Sequence, residues 1–287
     1  MSDLTDDVVR SWSGTPDPRL REVMTSLTRH LHAFVEEVGL TQPEWAHAVG
    51  YLTRVGQTCD EVRQEFILLS DVLGVSMLVD EINHGTPDGA TESTVLGPFH
   101  VVDSPPRELG DDISLDGIGD PVVVAGRVLD LEGRPVPGAS LDVWQASADG
   151  FYDVQQPDLQ PERNLRGLFT ADEEGRYWFR TVLPKWYPIP DDGPVGDLLA
   201  ATGRHPNRPA HVHLIAGAAG HAPLTTHVFL AGSPWLDSDA VFGVKESLVK
   251  AFEHHDAGTD TPDGRDIGGG EWWEMHYDFV LAAEDAR

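Results

Sequence analysis

The segment Arg208-Pro209-Ala210-His211-Val212-His213 runs on into Leu214 and Ile215, so two imidazoles stand in an apolar run. Side chains at i and i+2 of a β-strand project from the same face, which would place His211 and His213 side by side. Histidine is the most common metal ligand in proteins. The spacing therefore predicts a strand that presents a pair of metal ligands, although 13 histidines also make such a pair plausible by chance.

Two tyrosines upstream lie among turn-forming residues and complete a candidate donor set. Tyr152 belongs to Asp149-Gly150-Phe151-Tyr152-Asp153, and Tyr187 belongs to Pro184-Lys185-Trp186-Tyr187-Pro188-Ile189-Pro190. Taken singly, a buried tyrosine more often serves packing with one hydrogen bond. Taken with the two histidines, they supply two nitrogens and two phenolate oxygens, which favour a hard, highly charged ion, and Fe(III) is the candidate.

Composition excludes several classes of protein. The chain has 287 residues with 40% hydrophobic content, and 48 acidic against 20 basic side chains give a formal charge of −28. Such a surface repels nucleic acid and anionic lipid. The single cysteine, Cys59, rules out an internal disulfide and suits a reducing compartment. The sequence has neither a secretory signal pattern nor an apolar run of about 18 residues, so we expect a cytoplasmic protein that does not insert into a membrane.

The first hundred residues have the periodicity of amphipathic helices. Apolar residues recur at i, i+3 and i+4 between residues 18 and 38, and Gly39 ends the pattern. Thr41-Gln42-Pro43-Glu44 has the spacing of a capping box, which predicts the start of a second helix. A third helix is predicted from residue 60 to about residue 73.

After the breaker cluster His84-Gly85-Thr86-Pro87-Asp88-Gly89, the pattern becomes one of short strands. A hairpin is predicted around the turn at residues 131–138, and residues 191–207 are predicted to form a long loop. Several short strands separated by turns are typical of a β-sandwich. We therefore predict an α+β fold, with a helical region over residues 1–104 and a β-sandwich over residues 105–287.

Other chemistries have little support in the sequence. It contains no G-x-S-x-G elbow, no G-x-x-x-x-G-K loop and no G-x-G-x-x-G that opens a helix. A cupin-like site would need a Glu soon after the histidine pair, and Leu214-Ile215-Ala216-Gly217 has none, although His227 offers a third imidazole. A zinc hydrolase and a non-catalytic β-sandwich binding module stay open as alternatives from other classes.

Five segments together resemble the intradiol ring-cleaving dioxygenases, and the resemblance covers nearly the whole chain. In the family's order they are Gly126-Arg127-Val128-Leu129-Asp130, Val143-Trp144-Gln145-Ala146, Gly150-Phe151-Tyr152, Lys185-Trp186-Tyr187-Pro188-Ile189-Pro190 and Arg208-Pro209-Ala210-His211-Val212-His213. The resemblance implies cleavage of an aromatic diol by O2 at a non-haem Fe(III) ion bound by Tyr152, Tyr187, His211 and His213. It also implies a homodimer formed through the N-terminal helices, and related enzymes carry a phospholipid at that interface.

Three regions resemble the family members that act on hydroxyquinol more than those that act on catechol or chlorocatechol, which remain the alternative. They are Leu68-Leu69-Ser70-Asp71-Val72-Leu73-Gly74, Ser93-Thr94-Val95-Leu96-Gly97-Pro98-Phe99, and Leu224-Thr225-Thr226-His227 together with Ser233-Pro234-Trp235-Leu236-Asp237-Ser238-Asp239-Ala240-Val241. His227 stands where catechol enzymes typically carry Gln, and Leu96 stands where Phe is expected.

The resemblance also implies roles for single residues. We expect Tyr187 to accept a substrate proton, Arg208 to stabilise negative charge on the ring, and Asp71 to bind the third hydroxyl of hydroxyquinol. The expected substrate pocket consists of Leu68, Asp71, Val95, Leu96, Gly97, Pro98, Phe99, Ile189, Arg208, His227 and Val241.

Overall fold

The structure is a computed structural model that describes residues 3–61, 63–262, 264 and 269–284. The chain divides into two compact units, Met1–Gln57 and Thr58–Arg287. The predicted α+β class is confirmed, since helices make up the early part of the chain and strands the later part. The domain boundary at residues 104 and 105 stays a prediction.

The first unit is helical. Its helices are α1 (Asp3–Ser11), α2 (Pro18–Val38) and α3 (Gln42–Thr58), with a short 3-10 turn at Trp12–Gly14. Asp17 caps α2 by accepting a hydrogen bond from the Arg19 amide at 2.8 Å, and Gly39 ends it with a left-handed φ of 60°. The predicted capping box is present, because the Thr41 amide donates to the Glu44 carboxylate at 2.8 Å. Both predicted helices are therefore confirmed.

The apolar stripe of α2 and α3 faces solvent in the single chain. Thr28 and Val55 are the buried residues of these two helices. The exposed apolar side chains are Leu20, Val23, Leu27, Leu31, Phe34, Val35, Val38, Trp45, Val49 and Leu52. An apolar face of this size on a folded protein usually marks an interaction surface rather than part of its own core.

Two short helices open the second unit. They are α4 (Glu65–Val72) and α5 (Val75–Asn83), and Gly74 between them has a φ of 72°. The predicted helix over residues 60–73 starts later than expected, because the Asp60 side chain accepts from the Arg63 amide at 2.6 Å in a preceding turn. Residue 62 lies outside the described residues. The separate helix α5 was not predicted from the sequence.

The rest of the second unit consists of two packed sheets. Strand β1 (Pro121–Asp130) pairs with β4 (Arg176–Val182), β11 (Trp272–His276) and β12 (Phe279–Leu281), and β10 (Glu253–His255) pairs with β11. The other sheet has the order β3 (Arg166–Thr170), β2 (Ser140–Gln145), β7 (His211–Gly217), β8 (Leu224–Leu230) and β9 (Val249–Lys250). A small ladder joins β5 (Tyr187–Pro188) to β6 (Asn207–Arg208).

Two local predictions are wrong. Strands β1 and β2 flank the turn at residues 131–138 but belong to different sheets, so they do not form the predicted hairpin with each other. The turn closes locally instead, through an antiparallel bridge between Leu129 and Pro135. The predicted loop over residues 191–207 contains helix α6 (Pro194–Ala201), which starts with Pro194 in the first helical turn.

The core between the sheets explains how the site is oriented. Phe169 of β3 stacks on Phe179 of β4 with ring centroids 4.9 Å apart. Val212 and Leu214 of β7 are buried in the same cluster. Because side chains alternate along a strand, His211 and His213 lie on the opposite face of β7, away from the core.

No described helix combines the length and the apolar composition needed to cross a membrane.

Candidate functional site

Three histidines meet on the outer face of the second sheet. His211 and His213 belong to β7, and His227 of β8 lies directly opposite His213 in the ladder. Their ring nitrogens offer a group of possible metal ligands that lie within 4.8 Å of one another. All three rings are buried.

The two predicted tyrosines join the histidine pair. Tyr152 lies in the loop after β2, and Tyr187 belongs to β5. The Tyr152 and Tyr187 hydroxyl oxygens are 3.1 Å apart, and Tyr187 Oη is 3.4 Å from His211 Nε2. His211 Nε2 is in turn 3.1 Å from His213 Nε2. The structure therefore brings together all four residues that the sequence predicts as ligands.

Hydrogen bonding aims His211 at the middle of this group. Its Nδ1 lies 2.7 Å from the Pro209 carbonyl oxygen, which can only accept, so Nδ1 carries the hydrogen. Burial lowers the pKa of His211 to about 3 and lowers that of His213 well below its usual value, so both rings are neutral near pH 7. The Nε2 lone pair of His211 then points at the other donors, as metal ligation requires.

The phenols need a cation if they are to act as ligands. Burial raises the pKa of Tyr152 well above its ordinary value, and the neighbouring Tyr187 raises it further. Burial also raises the pKa of Tyr187, partly offset by the positive charge of Arg208. A multiply charged metal ion reverses this preference, because it stabilises the deprotonated form of its ligands. The donor set of two phenols and two imidazoles therefore fits a hard metal cation.

Aromatic rings and one glycine hold the donors in place. Trp144 stacks on His213 with centroids 4.7 Å apart, and Phe99 stacks on Tyr152 at 4.6 Å. Gly97 has a φ of 77°, and a Cβ added to it would lie 3.0 Å from His213 Cε1. The backbone at Gly97 thus closes over the ring edge of His213.

Arg208 is a buried part of the site and not a surface cation. Its Nη1 lies 3.3 Å from His211 Nε2, and its Nε and Nη2 donate to the Asp239 carboxylate at 3.0 and 3.2 Å. Burial opposes the charge of Arg208, but Asp239 outweighs this and raises the pKa of the guanidinium. The sequence gives no sign of the pairing, because the two residues are 31 positions apart.

Asp71 is buried on α4. Burial raises the pKa of Asp71, while a hydrogen bond with Ser76 and the charge of Arg208 lower it. Asp71 also lines a cavity of about 400 Å³. The lining includes the predicted residues Leu68, Pro98 and Phe99 and ten residues that were not predicted, among them His100, Gln155 and Pro190.

The other predicted pocket residues do not line this cavity. Ile189, His227 and Val241 are buried, whereas Leu96 is 44% exposed. Val95 is half-buried beside Gly97. Their part in substrate binding stays a prediction.

Replacement of Gly97 by Ala tests the close approach to His213. Gly97→Ala is expected to weaken metal binding roughly tenfold or more, since its methyl group would push on a predicted ligand. Gly133→Ala is the matched control, because Gly133 has a similar φ of 75° with nothing within 4 Å of an added Cβ. Both variants should lose about 1–2 kcal/mol of stability from the left-handed backbone. Equal metal content in the two variants, measured by inductively coupled plasma mass spectrometry, would contradict the role of Gly97.

Comparison with known proteins agrees with this geometry. A family described as "Dioxygenase" matches residues 102–283, and one described as "Catechol dioxygenase N terminus" matches residues 17–91. A hydroxyquinol 1,2-dioxygenase of Rhizobium sp. (strain MTP-10005) is 56% identical over 93% of this chain and 90% of the relative. A hydroxyquinol 1,2-dioxygenase of Rhodococcus opacus is 51% identical over 98% of this chain and 93% of the relative.

Solved structures show the same relationship. The hydroxyquinol 1,2-dioxygenase from Pseudomonas putida DLL-E4 aligns with a TM-score of 0.93 at 50% identity and covers 98% of both chains. The catechol 1,2-dioxygenase from Pseudomonas arvilla C-1 aligns with a TM-score of 0.81 at 29% identity and covers 100% of this chain and 94% of its own. These similarities exclude the interpretation as a non-catalytic binding module. The chain belongs to the intradiol ring-cleavage dioxygenase family of enzymes.

Proposed function

We propose that this enzyme uses O2 to cleave the ring of hydroxyquinol between its two adjacent hydroxyl-bearing carbons, at a non-haem Fe(III) ion. The observation that carries the proposal is the convergence of Tyr152, Tyr187, His211 and His213 beside a cavity that contains a buried acid. Relatives at 50–56% identity named hydroxyquinol 1,2-dioxygenase support the choice of substrate. The product is a ring-opened dicarboxylate, 3-hydroxy-cis,cis-muconate or its tautomer maleylacetate, formed in the catabolism of aromatic compounds.

The proposed ligands of the metal are the two phenolates and the two imidazoles. Two anionic oxygens with two nitrogens favour ferric over softer ions. Tyr152, Tyr187, His211 and His213 would hold Fe(III), which would supply Lewis-acid chemistry for the diol and its reaction with O2 without an external reductant. Both atoms of O2 enter the product.

Tyr187 accepts a proton from the substrate. Its Oη receives a proton from one diol hydroxyl, as a general base placed within hydrogen-bond reach. The Arg208 guanidinium hydrogen-bonds this phenol and favours its anion, whereas Tyr152 has the second phenol as its hydroxyl partner. This difference in environment supports Tyr187 as the proton acceptor.

Arg208 stabilises negative charge that develops on the substrate. It is a fixed cation in a site shielded from water, where such a charge acts more strongly than it would in solution. Its Nη1 lies beside His211 and therefore at the edge of the donor group.

Asp71 supplies recognition of the third hydroxyl. A buried carboxylate that accepts this hydroxyl is left without its partner when catechol binds, and a site of this kind discriminates by up to roughly 10⁴-fold. Leu68 and Phe99 provide apolar walls next to it. The alternative substrates, catechol and chlorocatechol, lack the third hydroxyl.

A homodimer joined through the N-terminal helices explains the exposed apolar stripe of α2 and α3. Ten large apolar side chains of these helices are at least 39% exposed in the single chain, and burial in a dimer, or against a phospholipid held at its interface, removes that surface from water. A cytoplasmic location is part of the same proposal and rests on the single cysteine.

The substrate preference is tested with the wild type and with Asp71→Asn. Wild type is expected to cleave hydroxyquinol with a higher kcat/KM than catechol. In Asp71→Asn, the preference for hydroxyquinol over catechol, measured as the ratio of the two kcat/KM values, should fall at least roughly tenfold, since the carboxylate is the partner of the third hydroxyl. Ring cleavage is followed by O2 uptake and by identification of the product. Faster cleavage of catechol by the wild type would make the choice of substrate wrong.

The phenolate ligands are tested by colour. Iron-loaded wild type should show a visible charge-transfer band, and Tyr152→Phe and Tyr187→Phe should each shift or weaken it while lowering ring cleavage, since each removes one phenolate donor. Tyr177→Phe is the control, because Tyr177 is buried elsewhere and donates to the Tyr277 carbonyl at 2.6 Å. A Tyr152 or Tyr187 variant with the wild-type spectrum and full activity would remove that residue from the proposed ligands.

The dimer is tested with charged substitutions on the apolar stripe. Leu27→Glu with Leu31→Glu is expected to convert a dimer into monomers of 31.4 kDa, because the charges would have to be buried. Arg29→Glu with Ala33→Glu introduces two glutamates at exposed positions of α2 that lie away from the stripe, and should leave the dimer intact. Native mass spectrometry reports both the assembly mass and any bound phospholipid, and a wild-type monomer would contradict this part of the proposal.

A further inference from the structure

Arg208 and Asp239 form an ion pair that solvent hardly reaches. Their side chains are 3% and 2% exposed, and two parallel hydrogen bonds of 3.0 and 3.2 Å join the guanidinium to the carboxylate. Bidentate pairs of this kind fix orientation as well as charge. The pair uses Nε and Nη2, and the remaining nitrogen, Nη1, is directed at His211.

The same carboxylate holds the start of a loop, residues 239–243. Asp239 Oδ2 accepts a hydrogen bond from the Gly243 amide at 2.9 Å, and Oδ1 accepts one from the Val241 amide at 3.4 Å. A Cβ added to Gly243 would lie 2.9 Å from Arg208 Nη2, so the loop backbone packs directly on the guanidinium. One carboxylate thus fixes both a cation of the site and a loop beside it.

The loop has a second attachment that does not involve Asp239. Arg204 donates to the Ala240 carbonyl at 2.9 Å and to the Val72 carbonyl at 2.5 Å, and Val72 directly follows Asp71. The Arg204 guanidinium also lies 4.9 Å from the centre of the Phe242 ring. These contacts should hold the loop on the fold when the charge of Asp239 is removed.

We infer that Asp239 is a positioning residue for ring cleavage: it keeps the Arg208 guanidinium aimed at the reaction site. This inference rests on the proposed function of Arg208. The Asp71 carboxylate and the Tyr187 phenol also interact electrostatically with Arg208. Both groups therefore compete with Asp239 for the guanidinium. With Asp239 neutral, Arg208 would turn towards these groups. A misplacement of about 1 Å is enough to lower a rate roughly 10²-fold.

The test compares Asp239→Asn with Asp237→Asn. Asp237 is exposed and lies two residues before Asp239, so the control removes the same charge from the segment that leads into the loop. In Asp239→Asn, kcat for hydroxyquinol should fall roughly 10²-fold while KM changes less than about threefold, the pattern of an interaction made in the transition state. Asp239→Glu should restore part of kcat. Iron content should stay as in the wild type, since none of the proposed ligands is replaced.

Three outcomes would overturn the inference. The first is a folded Asp239→Asn variant with kcat within about twofold of the control. The second applies if Asp239→Asn does not fold: Gly243→Ala keeps both charges but pushes on Arg208 Nη2, and an unchanged kcat in that variant would exclude the positioning role. The third is a crystal structure of Asp239→Asn in which the guanidinium has not moved. The position of the guanidinium in that structure tests the inference even if the wild type cleaves no aromatic diol. Absence of cleavage by the wild type would instead contradict the proposed function.

Discussion

Two phenols and two imidazoles lie close together in a part of the molecule that excludes water. The residues around them have to hold these four groups at short distances. Burial opposes ionisation of Tyr152 and Tyr187 and keeps His211 and His213 neutral. A shared, highly charged cation would make the arrangement favourable, because neutral imidazoles can ligate it and it would stabilise the phenolates. Stacked aromatic rings, a glycine and a buried arginine then serve to hold the donors close.

Much of this site could be predicted from the sequence because its signals are local. Alternation along β7 puts His211 and His213 on one face whatever the rest of the fold does. The capping box at Thr41 and the break at Gly39 fix helix ends through contacts within a few residues. The tyrosines carry a weaker signal, and only the order of the surrounding segments, shared with a known family, identifies them as partners of the histidines.

The features that escaped prediction depend on contacts between distant parts of the chain. Pairing of Arg208 with Asp239 is set by packing and has no local pattern. The turn at residues 131–138 looks like a hairpin, yet its two strands have better partners in separate sheets. Residues 191–207 are rich in glycine, proline and aspartate, which predicts a loop, yet Pro194 is well suited to the first turn of helix α6.

The proposed function requires one ferric ion held by two phenolates and two imidazoles. A crystal structure of the iron-loaded protein, with diffraction measured on both sides of the iron absorption edge, tests this most directly. We expect one strong anomalous peak from iron, in contact with Tyr152, Tyr187, His211 and His213. A peak bound by the three histidines without either tyrosine, or iron located elsewhere in the protein, would contradict it.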